Sequence, residues 1–234
     1  MKIAISSSSF AEPLASGNLT QLEWLERCAS ELAADGVVFD KRHFPRLDAE
    51  YVAQLKKIGT DLGLVPVALH VPQLLGEDSA AALEESFAVA AGLGAIFMLT
   101  RLPAAGDVPP AAFVAAVAAA KVAARTAKRV NVTLLAAPQE GTVAADLPDL
   151  RHFVKDVDSA WLRYAVPLHA DRSFFGPRDR ALVVTVGASD DSSAADVAEG
   201  ARPWLLLEGR VDAQRVCALR AAAAKKTLAA ANVS

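Results

Sequence analysis

The residue best placed for chemistry in this sequence is a carboxylate that follows an apolar run. Glu208 comes directly after Trp204–Leu207, a short run that is typical of a buried strand. A carboxylate in such a position is costly to desolvate unless a cation, a donor or a substrate meets it. We interpret Glu208 as an acid/base or anchoring group. The alternative is a structural ion pair with one of three arginines, Arg42, Arg101 or Arg210.

Basic side chains follow two other apolar runs. His70 comes directly after Val67–Leu69, which suits a substrate contact or general base, or else a hydrogen-bonded structural histidine. Arg42 and His43 lie in the charged segment Asp40–His43. A guanidinium fork suits oxyanions, so this segment is a candidate to hold a sugar or a phosphate. The alternative is a solvated loop with internal ion pairs.

Further polar residues follow the later apolar runs. Arg101, Glu140, His169 and Arg210 complete the set of candidate substrate-binding residues. His169 and Asp171 are two residues apart, so in an extended segment their side chains share a face. This pair suits metal ligation or support of a ligand, and a surface location is the alternative.

Eight apolar runs supply the strands that must position these residues, and helical segments separate them. The spacing of roughly 25–35 residues is that of parallel strands joined by helical crossovers. Helix starts are indicated at Asn18 or Thr20, at Asp48 and at Pro109. The residues between Ser6 and Gly17 are expected to form a polar loop. The predicted strands are Lys2–Ser6, Val37–Phe39, Leu64–Val71, Ala95–Leu99, Asn131–Ala136, Trp161–Val166, Leu182–Val186 and the run from Trp204.

This count predicts a single α/β domain over residues 1–234, a (β/α)₈ TIM barrel. A doubly wound open sheet is the rival fold, and it would need a glycine-rich phosphate loop after the first strand. The sequence has Ser6–Ser9 at that point, without a G-x-G-x-x-G pattern. In the barrel, residues just after each strand gather at one rim, which is where the candidate residues are expected to meet.

Composition argues against several classes of partner. The 24 basic and 27 acidic residues leave a net charge of −3 and no basic stripe, so no nucleic-acid partner is expected. Charges interrupt the alanine-rich runs, and the N-terminus does not resemble a signal peptide, so we expect no membrane span and a cytoplasmic protein. Cys28 and Cys217 are expected to be buried free thiols, which suits a reducing compartment. A homodimer is plausible.

The order of several segments resembles the sugar phosphate isomerase/epimerase family of xylose isomerase-like TIM barrels. The segments that carry the resemblance are Leu19–Leu25, Ala33–Phe39, Tyr51–Lys57, Leu62–Leu64, Trp161–Arg163 and Leu206–Gly209. The resemblance implies a divalent metal held by a Glu, an Asp, a His and a Glu at the ends of strands five to eight. The two Glu residues would move a proton beside a carbonyl that the metal polarises.

Most of that ligand set is missing from this sequence. The fifth run ends in Ala136 and Ala137, the sixth in Pro167, and the seventh, Val183–Gly187, offers no His, so Glu208 alone matches. One carboxylate does not make a cation site, and we expect no metal cofactor. Shifts of a few residues would instead bring three other side chains to the site, Glu140, His169 and Asp171.

The predicted function is that of a divergent isomerase/epimerase-like barrel that binds a small polyol, sugar or sugar phosphate at the rim. Its metal site is expected to be lost, and the prediction covers both a barrel that keeps catalytic activity and one that has lost it. Glu208 and His70 are the candidate catalytic residues. The alternative is a non-catalytic binding or assembly protein on the same barrel. DNA cleavage is disfavoured, because that chemistry uses several metals held by many ligands and the chain has four histidines.

Overall fold

A computed structural model describes residues 2–76, 80–167, 183–186, 204–209 and 211–221 of the chain. Eight parallel strands close into a barrel in chain order, with the first strand paired to the last. This confirms the predicted (β/α)₈ architecture. The strands are β1 Lys2–Ser6, β2 Gly36–Asp40, β3 Val65–His70, β4 Phe97–Thr100, β5 Thr133–Ala136, β6 Leu162–Pro167, β7 Val183–Val186 and β8 Trp204–Leu207.

Helices cover the outside of the barrel. They are α1 Ala11–Ala15, α2 Gln21–Ser30, α3 Ala49–Asp61, α4 Ala80–Leu93, α5 Pro109–Val130 and α6 Leu147–Val157, with further helical residues at 213–221. The predicted helix near 194–199 lies outside the described residues. Local signals in the sequence explain the helix starts. Thr20 accepts a hydrogen bond from the Glu23 backbone amide while the Glu23 carboxylate accepts one from the Thr20 amide, a capping box.

The segment after β1 departs from the sequence prediction of a polar loop. Ser7–Phe10 form a 3₁₀ turn that leads directly into α1. The Ser6 hydroxyl accepts a hydrogen bond from the Ser8 amide and so caps this turn. Phe10 is buried, with the Arg27 guanidinium 5.6 Å from its ring centre. Burial of one aromatic ring thus orders a serine-rich stretch that has no apolar periodicity of its own.

Two apolar layers follow from the alternation of side chains along the strands. Ala4, Val38, Ala68, Leu135 and Leu206 belong to a small cluster inside the barrel. The strand residues between them join a larger cluster beneath the helices, which includes Trp24, Phe39 and Phe87. The inward-facing register therefore continues, two residues further along each strand, to the side chains at the mouth.

Helix α5 has the length and apolar composition that would allow it to cross a membrane. Charges therefore do not interrupt this alanine-rich run early enough to exclude a membrane span by length and composition, contrary to the expectation from sequence. In the barrel, Ala120, Ala123 and Ala127 on one side of α5 are buried in the layer beneath the helices, while Val114 and Val122 are exposed. Packing of its small side chains accounts for the composition of the buried side.

The two cysteines differ in their surroundings. Cys28 is fully buried, and burial raises the pKa of its thiol to about 12. Cys217 is exposed, so the expectation of two buried thiols is wrong for this residue. Its neighbours Val216 and Leu219 are the buried side chains of the same helical segment. The apolar neighbours of Cys217 in sequence thus lie on the opposite side of the helix.

Candidate functional site

The polar side chains at the ends of β1, β2 and β3 form one cluster at the mouth of the barrel. Asp40 and His70 are register partners on neighbouring strands. Each stands two residues beyond an interior side chain, Val38 and Ala68 respectively, so both belong to the inward-facing register. Ser6 continues from Ala4 in the same way. Asp40 and Ser6 are fully buried, and His70 is nearly so.

Asp40 is the centre of this cluster, because three side chains donate to its carboxylate. His70 Nδ1 and Ser8 Oγ each lie 3.1 Å from Oδ2. The Arg42 guanidinium contacts both carboxylate oxygens, Nε to Oδ1 at 2.9 Å and Nη2 to Oδ2 at 2.6 Å. Burial opposes ionisation of Asp40, but the hydrogen bonds from His70 and Arg42 outweigh it and hold the pKa of this carboxyl well below its usual range. Asp40 is therefore a buried carboxylate at neutral pH.

The carboxylate determines which ring nitrogen of His70 carries the proton. An ionised carboxylate only accepts hydrogen bonds, so Nδ1 of His70 is the donor in this contact. In the neutral ring the lone pair is then on Nε2. This nitrogen makes no hydrogen bond to the part of the chain that the structure describes. A histidine oriented by a carboxylate in this way is an arrangement suited to accepting and returning a proton.

His43 is held by a second chain of hydrogen bonds. The Ser7 hydroxyl accepts from the Asp40 backbone amide at 2.9 Å and lies 2.9 Å from His43 Nδ1. Which of these two atoms donates depends on the tautomer of the ring. Burial lowers the pKa of His43; the negative charge of Asp40 opposes this shift, and the positive charge of Arg42 adds to it. Both Arg42 and His43 are thus anchored within the protein, as the alternative of internal ion pairs predicts for Arg42.

A cleft of about 840 Å³ lies beside this cluster, formed by the segments that follow β2, β3, β4 and β5. It brings together three residues that the sequence proposes for substrate binding, Arg42, Arg101 and Glu140. Arg101 is the next inward position after Leu99 of the barrel interior. Its side chain and that of Glu140 are exposed. Their roles in binding stay predictions.

Backbone hydrogen bonds hold the walls of the cleft. Ala104 and Thr142 form an antiparallel bridge between the segments after β4 and β5. The Val143 amide donates to the Pro103 carbonyl and the Ala105 amide to Gly141, both at 3.0 Å. The two segments are therefore joined as a short ladder.

Among the described residues, the rim above β5 to β8 has small side chains and fewer hydrogen-bonded polar groups than the rim above β1 to β3. Ala136 is fully buried, and Ala137, the next inward position on β5, packs against the barrel interior. Neither side chain has an atom that binds a metal, and β6 ends in Pro167. Glu208 is partly buried and has no hydrogen bond or ion pair within the described ranges. His169, Asp171 and Arg210 lie outside them.

The family's four-ligand metal set therefore does not fit the strand ends that the structure describes. Within those residues there is no group of three or more His, Cys, Asp or Glu side chains arranged to hold a metal ion. Glu140 lines the cleft, with no other carboxylate or histidine among the cleft's lining residues.

Sequence reasoning missed the central role of Asp40 and the contribution of Ser7. The sequence places Asp40 at the rim among other polar residues, and Ser7 only within the polar Ser6–Ser9 segment. Counting alternate residues from Val38 would have placed Asp40 on the inward face. The contact between Ser7 and His43 spans 36 positions and has no signal in the local sequence.

Comparisons with known proteins agree with this fold. A D-psicose 3-epimerase, solved in the presence of D-fructose, superposes with a TM-score of 0.75 at 14% identity, over 97% of this chain and 99% of its own. The IolI protein with a bound zinc atom gives 0.72 at 12% identity, over 96% and 97%. A xylose isomerase domain protein from Salmonella typhimurium gives 0.67 at 14% identity, over 92% and 90%. Neither a protein-family model nor a curated protein sequence matches the chain. These likenesses confirm the predicted TIM barrel fold, in which this chain is similar to xylose isomerase-like barrels.

Proposed function

We propose that this protein is a divergent isomerase/epimerase-like barrel that binds a small polyol, sugar or sugar phosphate at the C-terminal rim of its strands. The observation that carries the proposal is the Asp40–His70 pair on the inward-facing register of the mouth. The likeness to a D-psicose 3-epimerase supports the same substrate class, since that protein acts on a ketose.

His70 is the proposed acid/base residue. Its Nε2 accepts a proton from the carbon beside a substrate carbonyl, and the electron pair of that C–H bond moves to give an enediolate. Return of the proton by His70 to the same face of the same carbon regenerates the substrate, whereas delivery of a proton to the opposite face by a second group gives the epimer. Return of the proton to the neighbouring carbon, with transfer of the hydroxyl proton to the other oxygen, gives the isomer. Asp40 holds the ring and stabilises the imidazolium that forms. Glu208, at the end of β8, is the proposed second carboxylate, which anchors a hydroxyl or exchanges a proton.

We also propose that the four-ligand metal site of related barrels has been lost. Alanine side chains at the end of β5 support this, because they supply no ligand atoms. Elemental analysis of protein purified without chelator is expected to find manganese, magnesium and zinc well below one ion per chain. A near-stoichiometric ion that chelation removes, with loss of thermal stability, would contradict the proposal.

The binding proposal is tested by thermal shift with D-fructose, D-xylose and sorbitol. Stabilisation is expected for at least one of them, reduced in His70→Asn and in Glu208→Ala. Arg125→Gln, on the exposed side of α5, serves as the control and is expected to behave as the wild type. A ligand response that survives both His70→Asn and Glu208→Ala would show that binding occurs elsewhere.

A second function is a non-catalytic binding or assembly protein. The observation that favours it is the bonding of Asp40, whose oxygens already accept from His70, Arg42 and Ser8, so that the network is complete within the protein. This function predicts no response to any carbohydrate, and a homodimer by light scattering would support it. We propose a cytoplasmic location for either function, which the free thiols support.

A further inference from the structure

The cleft beside the mouth carries two guanidinium groups on separate segments. Arg101 follows β4, and its side chain has no hydrogen bond or ion pair to the described residues. Its backbone is fixed, because its amide donates to the Pro72 carbonyl at 3.3 Å. Arg42 follows β2 and reaches the cleft from the other side of β3. The arrangement presents two cations to one space.

Arg42 connects the cleft to His70 through Asp40. Its Nε and Nη2 donate to the Asp40 carboxylate, which leaves Nη1 for a ligand. The side chain is 60% exposed although Asp40 is fully buried. The same carboxylate accepts from His70. A group bound by Arg42 would therefore be connected to His70, the proposed acid/base, through one intervening side chain, that of Asp40.

Lys41 lines the cleft as well, but its ammonium group is already paired with a carboxylate of the protein. Its ammonium group lies 3.1 Å from the Glu85 carboxylate and 2.7 Å from the Ser86 hydroxyl on α4. Glu140 is the carboxylate among the residues that line the cleft. The Arg42 guanidinium is likewise paired, with the Asp40 carboxylate. Among the cations that line the cleft, Arg101 is therefore the one whose side chain has no ion pair to the described residues.

We propose that this cleft seats the anionic group of the substrate, a carboxylate or a phosphate, while the carbon skeleton extends to His70. The inference rests on the proposed function and narrows its substrate class to acidic sugars. Guanidinium groups pair with both kinds of oxyanion through two parallel hydrogen bonds. The ladder between the segments after β4 and β5 keeps one wall in place before binding, which lowers the entropic cost of association.

The carboxylate of Glu140 narrows the chemical class of ligand that the cleft is expected to bind. A carboxylate accepts hydrogen bonds from hydroxyl groups and repels further negative charge. It therefore suits a ligand that has hydroxyl groups next to a single anionic group. A sugar acid or a sugar monophosphate has this combination, whereas a nucleoside triphosphate does not.

Calorimetric titration of the full chain tests the proposal with four probes: D-fructose 6-phosphate, D-glucuronate, neutral D-fructose and inorganic phosphate. At least one charged sugar is expected to bind roughly ten- to a hundredfold more tightly than D-fructose, and Arg101→Gln is expected to remove that advantage. Arg125→Gln makes the same change on an exposed helix surface and should keep it. Arg101→Lys should restore part of the advantage, since the charge is kept and the fork is lost.

The outcomes separate this inference from the proposed function. D-fructose binding as tightly as both charged sugars, or an advantage unchanged in folded Arg101→Gln, would overturn the anionic site and leave the proposed function standing. Absence of binding by every sugar would overturn the proposed function. In that case, binding of inorganic phosphate that Arg101→Gln removes would still support an anion site, and no binding of phosphate would overturn both.

Discussion

The two sides of the barrel mouth are built from different kinds of side chain. Above β1, β2 and β3, Asp40 ties together His70, Arg42 and Ser8 by hydrogen bonds of 3.1 Å or less. On the other side, β5 ends in alanines and Glu208 has no partner among the residues described. The resemblance implies metal ligands at the ends of strands five to eight, which is the side where this chain has small side chains. The polar network on the first side therefore carries the chemistry that we propose.

The largest effect is expected for Asp40→Ala, which breaks the network at its centre. Loss of the carboxylate leaves His70, Arg42 and Ser8 without their shared acceptor, and the donor of His70 is then buried without a hydrogen bond. Arg42 is 60% exposed and can turn to water, so the loss comes mainly from the His70 and Ser8 donors, at about 1–3 kcal/mol for each buried donor left without an acceptor. We expect that loss in the free energy of unfolding by urea denaturation, with a smaller loss in Asp40→Asn. A loss below about 1 kcal/mol in Asp40→Ala would show that the network contributes little to stability.

A smaller loss is expected for Ser7→Ala, which removes one link at the edge of the network. The Asp40 backbone amide would lose its acceptor in a fully buried position, and His43 Nδ1 would lose its hydrogen-bond partner. An unsatisfied buried donor costs about 1–3 kcal/mol. Urea denaturation at pH 7 measures this loss. The same change at exposed Ser16, which bonds only to Pro13, is the matched control and should cost less.

The pH dependence of stability tests the surroundings of His43. Its pKa is lowered in the folded protein, so the unfolded chain binds the proton more tightly. The free energy of unfolding should therefore fall as the pH drops from neutrality through the unfolded value of about 6.5. His43→Gln should remove this part of the slope. Denaturation series at pH 5 to 8 measure the difference, and identical slopes in the two proteins would show that His43 is not the cause.

The smallest effect on stability is expected for Glu208→Ala, on the sparse side of the mouth. Glu208 has no hydrogen bond or ion pair to the described residues, so its loss should change the free energy of unfolding by no more than about 0.5 kcal/mol. The contrast with Asp40→Ala is the direct test of the difference between the two sides. If Glu208→Ala lowered the free energy of unfolding as much as Asp40→Ala does, the Glu208 carboxylate would have partners beyond the described residues.

Local patterns predicted most of the elements. Each predicted strand overlaps an observed one, because a buried parallel strand needs a short apolar run whatever its neighbours are. Thr20, Asp48 and Pro109 mark helix starts by bonds or backbone restrictions within the first turn. The segment after β1 was mispredicted because Phe10, a single buried ring, orders it through a contact with a distant helix.

The sequence by itself determined the barrel and the candidate residues at its rim, since the order of strands and the residues that follow them are local properties. Only the tertiary structure decided which of those residues meet. Parallel register sets Asp40 against His70 across 30 positions, and pairing of two loops creates the cleft that Arg101 and Glu140 line. The physical reason is that register and loop pairing depend on contacts between distant segments, which hydrophobic periodicity does not encode.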